Sequence, residues 1–313
     1  MDNLYKKKIK ETFPEIVELD ASLSKLSQWK VGGKADVITR PRNKEELIKI
    51  RQWLYLNELE SVFIGNTTNL LFSDEGLHVV VIQIGSSFSK VKIDDVNITA
   101  EPGVWVPNLA KMVMQEGLSG IEHTCGIPGT LGGLIVMNGG SQRQGIGSVV
   151  EYVETVDNKG YVKYYTNQES KFFYRNSTFQ NKDEIIVKVG LKLNKFNKND
   201  IRQEMLEILR SRRKKFPRKQ PNCGSVFMSH PDMYENYGPP GKIIESLGFK
   251  GMSKGDAQIS KLHANFIVNN GSAQSKDILY LINTVKETIY QKTGHQMTVE
   301  AKYVTANGKI LSI

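Results

Sequence analysis

The sequence predicts an α+β protein of two or three domains, and three observations carry that expectation. The chain has 313 residues, whereas one domain usually takes roughly 100 to 200. Residues 91 to 195 are rich in β-branched and aromatic runs of strand length. After Lys195-Phe196-Asn197-Lys198-Asn199-Asp200 the pattern turns helical, which places a domain boundary near residue 200.

The elements follow in order. Pro41 and Asn43 precede apolar residues at helical spacing, so an Asn-capped helix is expected over 44 to 57. Ser61-Val62-Phe63-Ile64 reads as a strand, Gly65 to Asn69 as a polar turn, and Leu70-Leu71-Phe72 and Val79 to Ile82 as further strands. One short amphipathic helix is expected near Val106 to Glu116, then a Gly-rich loop over 126 to 140. Val149 to Val156, Tyr161 to Tyr165 and Ile185 to Leu193 cluster or alternate as strands do. Beyond the boundary, helices are expected over 201 to 215, 241 to 247 and 275 to 292, with a strand over 264 to 268. No fixed-period repeat appears, which sets solenoids and propellers aside.

Forty-two Lys and Arg against 33 Asp and Glu give a charge of +9, which favours anionic ligands. The two cysteines, Cys125 and Cys223, exclude a disulfide scaffold and point to a reducing compartment. The basic N-terminus is not followed by an apolar stretch of signal-peptide length. The longest uncharged run, His123 to Gln142, is broken by Pro128 and glycines and does not read as a membrane span. The expected location is cytoplasmic.

Two loops carry the chemistry. Gly65-Asn66-Thr67-Thr68-Asn69 follows a strand and offers main-chain N–H groups and hydroxyls that could wrap a pyrophosphate, although an ordinary polar turn fits as well. Seven glycines between 120 and 140, within Gly126-Ile127-Pro128-Gly129-Thr130-Leu131-Gly132-Gly133 and around it, allow the main chain close to a ligand.

These loops, with Leu26 to Asp36, Tyr174-Arg175-Asn176-Ser177, Gln220 to Phe227 and Gly255 to Asn269, occur in the order and spacing of the UDP-N-acetylenolpyruvoylglucosamine reductases. The chain resembles that family over roughly residues 20 to 310. The resemblance implies a noncovalent FAD-binding fold of the vanillyl-alcohol oxidase type, in two subdomains, with a C-terminal α+β substrate domain. The implied boundaries are 1–90, joined by 301–313, then 91–200, then 201–300. It also implies NADPH as reductant and the enolpyruvyl ether of UDP-N-acetylglucosamine as substrate, giving UDP-N-acetylmuramate for peptidoglycan. FAD is expected on Gly65, Asn66, Thr67, Thr68 and Asn69 and on Gly126, Ile127, Pro128, Gly129, Thr130, Gly132 and Gly133. The short segment between Asn138 and Val149 matches the subtype without an extra tyrosine loop.

Three residues match the family's catalytic positions: Arg175, Ser225 and Glu300. Their types suit the reaction. A guanidinium can hold a carboxylate on which negative charge develops. A positioned hydroxyl can protonate a strongly basic carbon, and a carboxyl can polarise or orient the reacting group. The resemblance further implies substrate contacts from Tyr174, Lys242, His263 and Lys302. Some positions depart from the pattern. Thr67 replaces a glycine, so a hydroxyl is expected in place of one close main-chain approach; Ser229 replaces an asparagine, and Lys302 replaces an arginine. These departures motivate an alternative, a diverged paralogue that binds flavin or UDP-sugar in a regulatory role, and an oxidase on the same fold is a third reading.

The basic run Arg210, Arg212, Arg213, Lys214, Lys215, Arg218 and Lys219 lies at the domain junction, where diphosphates must approach, although charge runs are often only solvated helix ends. It lacks the interleaved aromatics of an RNA-binding surface, so no nucleic-acid partner is expected. No metal-ligand spacing is present among the histidines and cysteines.

Overall fold

The computed structural model describes residues 1–313. A four-stranded sheet opens the chain, in the spatial order Val17–Ser22, Lys34–Thr39, Leu77–Gln83, Ser61–Ile64. Its first pair is antiparallel and the others are parallel. The crossover between parallel strands is the helix Lys44–Leu56, whose start is fixed by Asn43, its side chain accepting the Glu46 N–H at 2.8 Å. That helix buries Leu47, Ile50 and Leu54 against Val80 and Ile82.

The second sheet is antiparallel throughout, in the order Val162–Thr166, Val150–Asp157, Glu184–Lys192, Asn97–Ala100, Val91–Asp94. The helices Val106–Gln115, Leu131–Val136 and Lys198–Lys215 share its core, in which Leu109, Ile135, Val153, Val189 and Ile208 meet. The helix Leu131–Val136 stands inside what the sequence suggests is an irregular Gly-rich loop. Gly132 and Gly133 disfavour a helix, but Thr130 caps it, its hydroxyl accepting the Gly133 N–H at 3.4 Å.

A three-stranded antiparallel sheet, Ser253–Lys254, Ala257–Ile259 and Ile267–Asn269, packs with the helix Ser275–Thr293 to form the third core. The expected strand over 264 to 268 begins only at Ile267, because Asn265 spends its side chain on the main chain of Phe227. The helix Pro231–Tyr237 is an element the sequence reading does not contain. No helix is long and apolar enough to cross a membrane.

Long-range pairings lock these units together. The strand Lys302–Val304 returns to the first unit and pairs in parallel with Leu70–Phe72, while Ile310–Ser312 extends it antiparallel. Trp29, fully buried, donates its indole N–H to the Ile267 carbonyl at 2.7 Å, and Asn269 donates to the Trp29 carbonyl at 2.9 Å. The guanidinium of buried Arg51 donates to the Asp157 carbonyl, to Asp183 Oδ1 at 2.7 Å and to Ser61 Oγ, joining the first two sheets. Hydrogen bonds from a charged donor each stabilise by about 1.5–3 kcal/mol, discounted here because Asp183 is exposed. Arg51→Met therefore lowers the unfolding free energy by about 2–3 kcal/mol, read as a lower urea midpoint at unchanged slope. A loss well below about 1 kcal/mol would mean that apolar packing alone holds the junction.

Candidate active site

The strand-loop-strand segment 61–72 and the segment 126–133 face each other across a cavity of about 1200 Å³, and every loop residue expected to hold the cofactor lines it. Their contact depends on a glycine. A Cβ at Gly65 would lie 2.5 Å from Thr130 Oγ1, far inside van der Waals contact, so only glycine lets the two loops meet there. None of the five main-chain N–H groups of Gly65 to Asn69 has an acceptor within the protein. A run of free amides on a cavity wall fits a pyrophosphate, which accepts several such bonds at once.

Thr67 sits at φ +56°, the left-handed region that explains why a glycine suits this position. Its hydroxyl does not face the cavity as a phosphate donor. It donates to the Leu26 carbonyl at 3.1 Å and so pins the strained residue, which corrects the expected role of that hydroxyl.

Arg175, Ser225, Glu300 and Lys302 line the same cavity. Arg175 is also left-handed, at φ +54°. It is held there by Gln180, which donates to its carbonyl at 2.8 Å, and by its own guanidinium donating to the Gly140 carbonyl at 3.2 Å. Arg175 Nε lies 2.7 Å from Glu300 Oε1, but its N–H is not directed along that line, and Nε remains a buried donor without an acceptor. Burial raises the Glu300 carboxyl above its ordinary value, and the Arg175 charge opposes that rise without cancelling it. Ser225 follows Gly224, at φ +79°, whose N–H is taken by Asn222 Oδ1 at 2.9 Å. The next residue, Val226, accepts the Glu300 N–H at 2.7 Å, so the hydroxyl-bearing loop and the carboxyl-bearing segment just before the strand Lys302–Val304 are one unit.

Residues 35–164 match the profile of the FAD binding domain, and residues 216–304 match that of the UDP-N-acetylenolpyruvoylglucosamine reductase C-terminal domain. The chain is 42% identical to UDP-N-acetylenolpyruvoylglucosamine reductase 1 of Corynebacterium glutamicum over 289 residues, 92% of this chain and 86% of that one. The chain belongs to the UDP-N-acetylenolpyruvoylglucosamine reductase family. The reductase of Heliobacterium modesticaldum is 35% identical over 91% of this chain and 90% of its own. The crystal structure of the Thermus caldophilus reductase superposes with a TM-score of 0.77 at 31% identity, covering 90% of this chain and 97% of that chain.

The family resemblance also singles out Tyr174, Lys242 and His263, which the structure leaves off the cavity wall, and Lys302, which lines it. Tyr174 is exposed and carries the Arg175 guanidinium over its ring at 5.4 Å. Lys242 is exposed on the helix Pro240–Ser246 and lies over Gly238. His263 packs behind the wall against Phe216 and Phe266, with its Nδ1 accepting the Asn265 N–H at 3.2 Å. Lys302 reaches the cavity edge, but its ammonium donates to Ser312 Oγ at 2.9 Å.

The sequence reading also misses the braces. Asn265 accepts the Phe227 N–H and donates to the Phe227 carbonyl, both at 2.9 Å, which fixes the strand just after Ser225. Asn69 donates its amide to the Glu300 carbonyl at 2.9 Å, so a residue expected to serve the cofactor also anchors the carboxyl-bearing segment. Asn138 joins the Gly147 N–H to the Phe173 carbonyl two residues before Arg175. Asn138 stands beside Gly139 and Asn265 beside Phe266, whereas Asn69 lies between Thr68 and Leu70; the shared signal is only an asparagine in a loop motif, which marks main-chain bonding without naming the partner.

Two predictions follow from this geometry. Gly65→Ala loosens FAD binding at least about tenfold by forcing the loops apart, and adding Thr130→Ala, which removes the clashing hydroxyl, recovers most of it; flavin fluorescence on titration reads both. Unchanged affinity in Gly65→Ala would remove the loop contact from the site. The second concerns His123, which is buried with neither ring nitrogen hydrogen-bonded and whose pKa is held below its ordinary 6.5 by burial. The fold therefore favours neutral imidazole, and stability falls as the pH drops below about 6.5 toward the lower folded value. His123→Phe raises the melting temperature at neutral pH, and its advantage grows between pH 6.5 and 5. An advantage that shrinks on acidification would mean that His123 gains a partner when protonated.

Proposed function

We propose that this protein reduces the enolpyruvyl group of UDP-N-acetylglucosamine enolpyruvate to UDP-N-acetylmuramate, using noncovalent FAD and NADPH, in peptidoglycan precursor synthesis in the cytoplasm. The observation that carries the reading is the Arg175 and Glu300 contact at 2.7 Å, on the wall of one cavity with Ser225 and both glycine loops. FAD, when bound, supplies the hydride route from NADPH to the terminal carbon of the enolpyruvyl group.

The chain's own residues do the remaining work. The amides of Gly65 to Asn69 bind the pyrophosphate of FAD, and residues 126 to 133 bear on its ring system. Hydride arrival at the terminal carbon leaves negative charge on the neighbouring carbon and its carboxylate. Arg175 stabilises that charge, and its Nε–H, buried and without a hydrogen-bond acceptor in the protein, is a donor already desolvated. Because the site is half-closed, the guanidinium acts through a lower dielectric than it would in water. Ser225 then gives its proton to the neighbouring carbon, for which an enediolate is basic enough. Glu300, whose carboxyl burial raises above its ordinary value against the opposing charge of Arg175, orients Arg175 and the substrate carboxylate. Lys302, at the cavity edge, attracts the anionic substrate as a point charge. The segment between Asn138 and Val150 carries no tyrosine, in keeping with the subtype without the extra loop.

The proton donor is needed only when substrate reoxidises the flavin. In Ser225→Ala, NADPH bleaches the flavin absorbance at near the wild-type rate, whereas reoxidation by the enolpyruvyl substrate slows about a hundredfold or more in stopped flow. Equal slowing of both halves would make Ser225 structural. Fast reoxidation would give the proton to water or to another side chain.

A further inference from the structure

The basic segment at the junction carries more charge than the reaction uses. Between Glu207 and Asp232 there is no acidic residue, and the stretch holds seven lysines and arginines. Arg212, Arg213, Arg218 and Lys219 all line the large cavity, and none of them forms an ion pair with a carboxylate. Arg212 is partly buried over the Phe216 ring, and Arg218 is near enough to disfavour its charge further. Holding like charges together without counter-ions costs stability, and an anionic ligand is the group that offsets the cost.

Arg218 and Lys219 are also built into a braced turn. They lie between Pro217 and Pro221. Asn222 donates to the Pro217 and Gln220 carbonyls, both at 2.8 Å, and Gln220 donates to Asn270 Oδ1 at 2.7 Å. The same Asn222 takes the Gly224 N–H, so the turn is continuous with Ser225. Their side chains remain exposed at the cavity mouth. A solvated helix end would have neither the bracing nor the cavity.

Four phosphate-bearing groups must be accommodated by a reductase of this kind: the pyrophosphate of FAD, the diphosphate of the UDP-sugar, and the pyrophosphate and the 2′-phosphate of NADPH. The free amides of Gly65 to Asn69 match the pyrophosphate of FAD. The diphosphate of the UDP-sugar and the pyrophosphate of NADPH are each separated by a single sugar from the end of the molecule that must meet the flavin, so both belong to the interior of the cavity. The remaining anion is the 2′-phosphate of NADPH, a monoester with charge near −2 at neutral pH. It is remote from the nicotinamide and suits an exposed Arg and Lys pair at the rim.

We propose that Arg218 and Lys219 form the subsite that reads the 2′-phosphate of NADPH and so sets the preference for NADPH over NADH. The assignment rests on the reductase reading for the identity of the dinucleotide, and binding measurements separate the two. NADP⁺, NAD⁺ and UDP are titrated into the FAD-loaded protein by calorimetry. The wild type binds NADP⁺ at least about tenfold more tightly than NAD⁺, as one or two charge-assisted hydrogen bonds would give. Arg218→Gln with Lys219→Gln brings the NADP⁺ to NAD⁺ ratio near one while UDP affinity changes by less than about threefold. Arg218→Lys with Lys219→Arg keeps the preference and controls for folding. A wild type without preference, a double variant that keeps it, or equal loss of all three ligands would overturn the assignment. If the preference behaves as stated but no UDP-N-acetylmuramate forms in an activity assay, the subsite stands and the reductase reading fails.

Discussion

The site depends on one pairing, the parallel ladder between Leu70–Phe72 and Lys302–Val304. Residues some 230 positions apart become strand neighbours, and the ladder is extended by Asn69, whose carbonyl accepts the Lys302 N–H at 2.9 Å. Glu300, two residues upstream of the strand, is thereby set beside the loop of free amides. Its own N–H reaches Val226, which draws in the Ser225 loop, and its carboxyl meets Arg175 from the second sheet. The ladder also contributes Leu71 to the third core and Phe72 and Val304 to the first, so the common cavity and the packing beneath it depend on the same pairing.

The cavity stores electrostatic and conformational cost in the places where the reaction needs it. Nine of its lining side chains are cationic and two are acidic, so it is a sink for anions. Thr67 and Arg175 both hold left-handed main-chain conformations, which cost of order 1 kcal/mol or more in a residue with a Cβ. Each is clamped by a hydrogen bond, Thr67 to the Leu26 carbonyl behind the cavity and Arg175 through its carbonyl by Gln180 on the cavity wall. The asparagine braces at 69, 138, 222 and 265 satisfy main-chain groups that ligand-facing loops would otherwise leave unpaired. A rigid frame around a charged cavity suits the role proposed for Arg175, which would need no reorganisation before acting.

Local chemistry was legible in the sequence, and long-range partnership was not. The helix Lys44–Leu56 could be read from Asn43 and its periodic apolar face, and both loops from their density of small residues. Leu131–Val136 escaped because two glycines outweigh a threonine cap in any propensity argument, whereas burial of Leu131 and Ile135 decides the matter in the fold. His263 shows the other difficulty. Its motif points to a ligand, but only the packing of Phe216 and Phe266 reveals that its ring lies behind the wall. Thr67 was visible as a departure, while the direction of its hydroxyl required knowing that Leu26 lies across from it.

The central claim is that this cavity couples NADPH oxidation to reduction of an enolpyruvyl ether. Simultaneous measurement of NADPH consumption, oxygen uptake and UDP-N-acetylmuramate formation by the FAD-loaded protein tests it most directly. The account predicts one NADPH consumed for each UDP-N-acetylmuramate formed, with consumption dependent on the enolpyruvyl substrate and little oxygen taken up. NADPH consumption that ignores the substrate and is matched by oxygen uptake, or binding of the substrate without turnover, would contradict it.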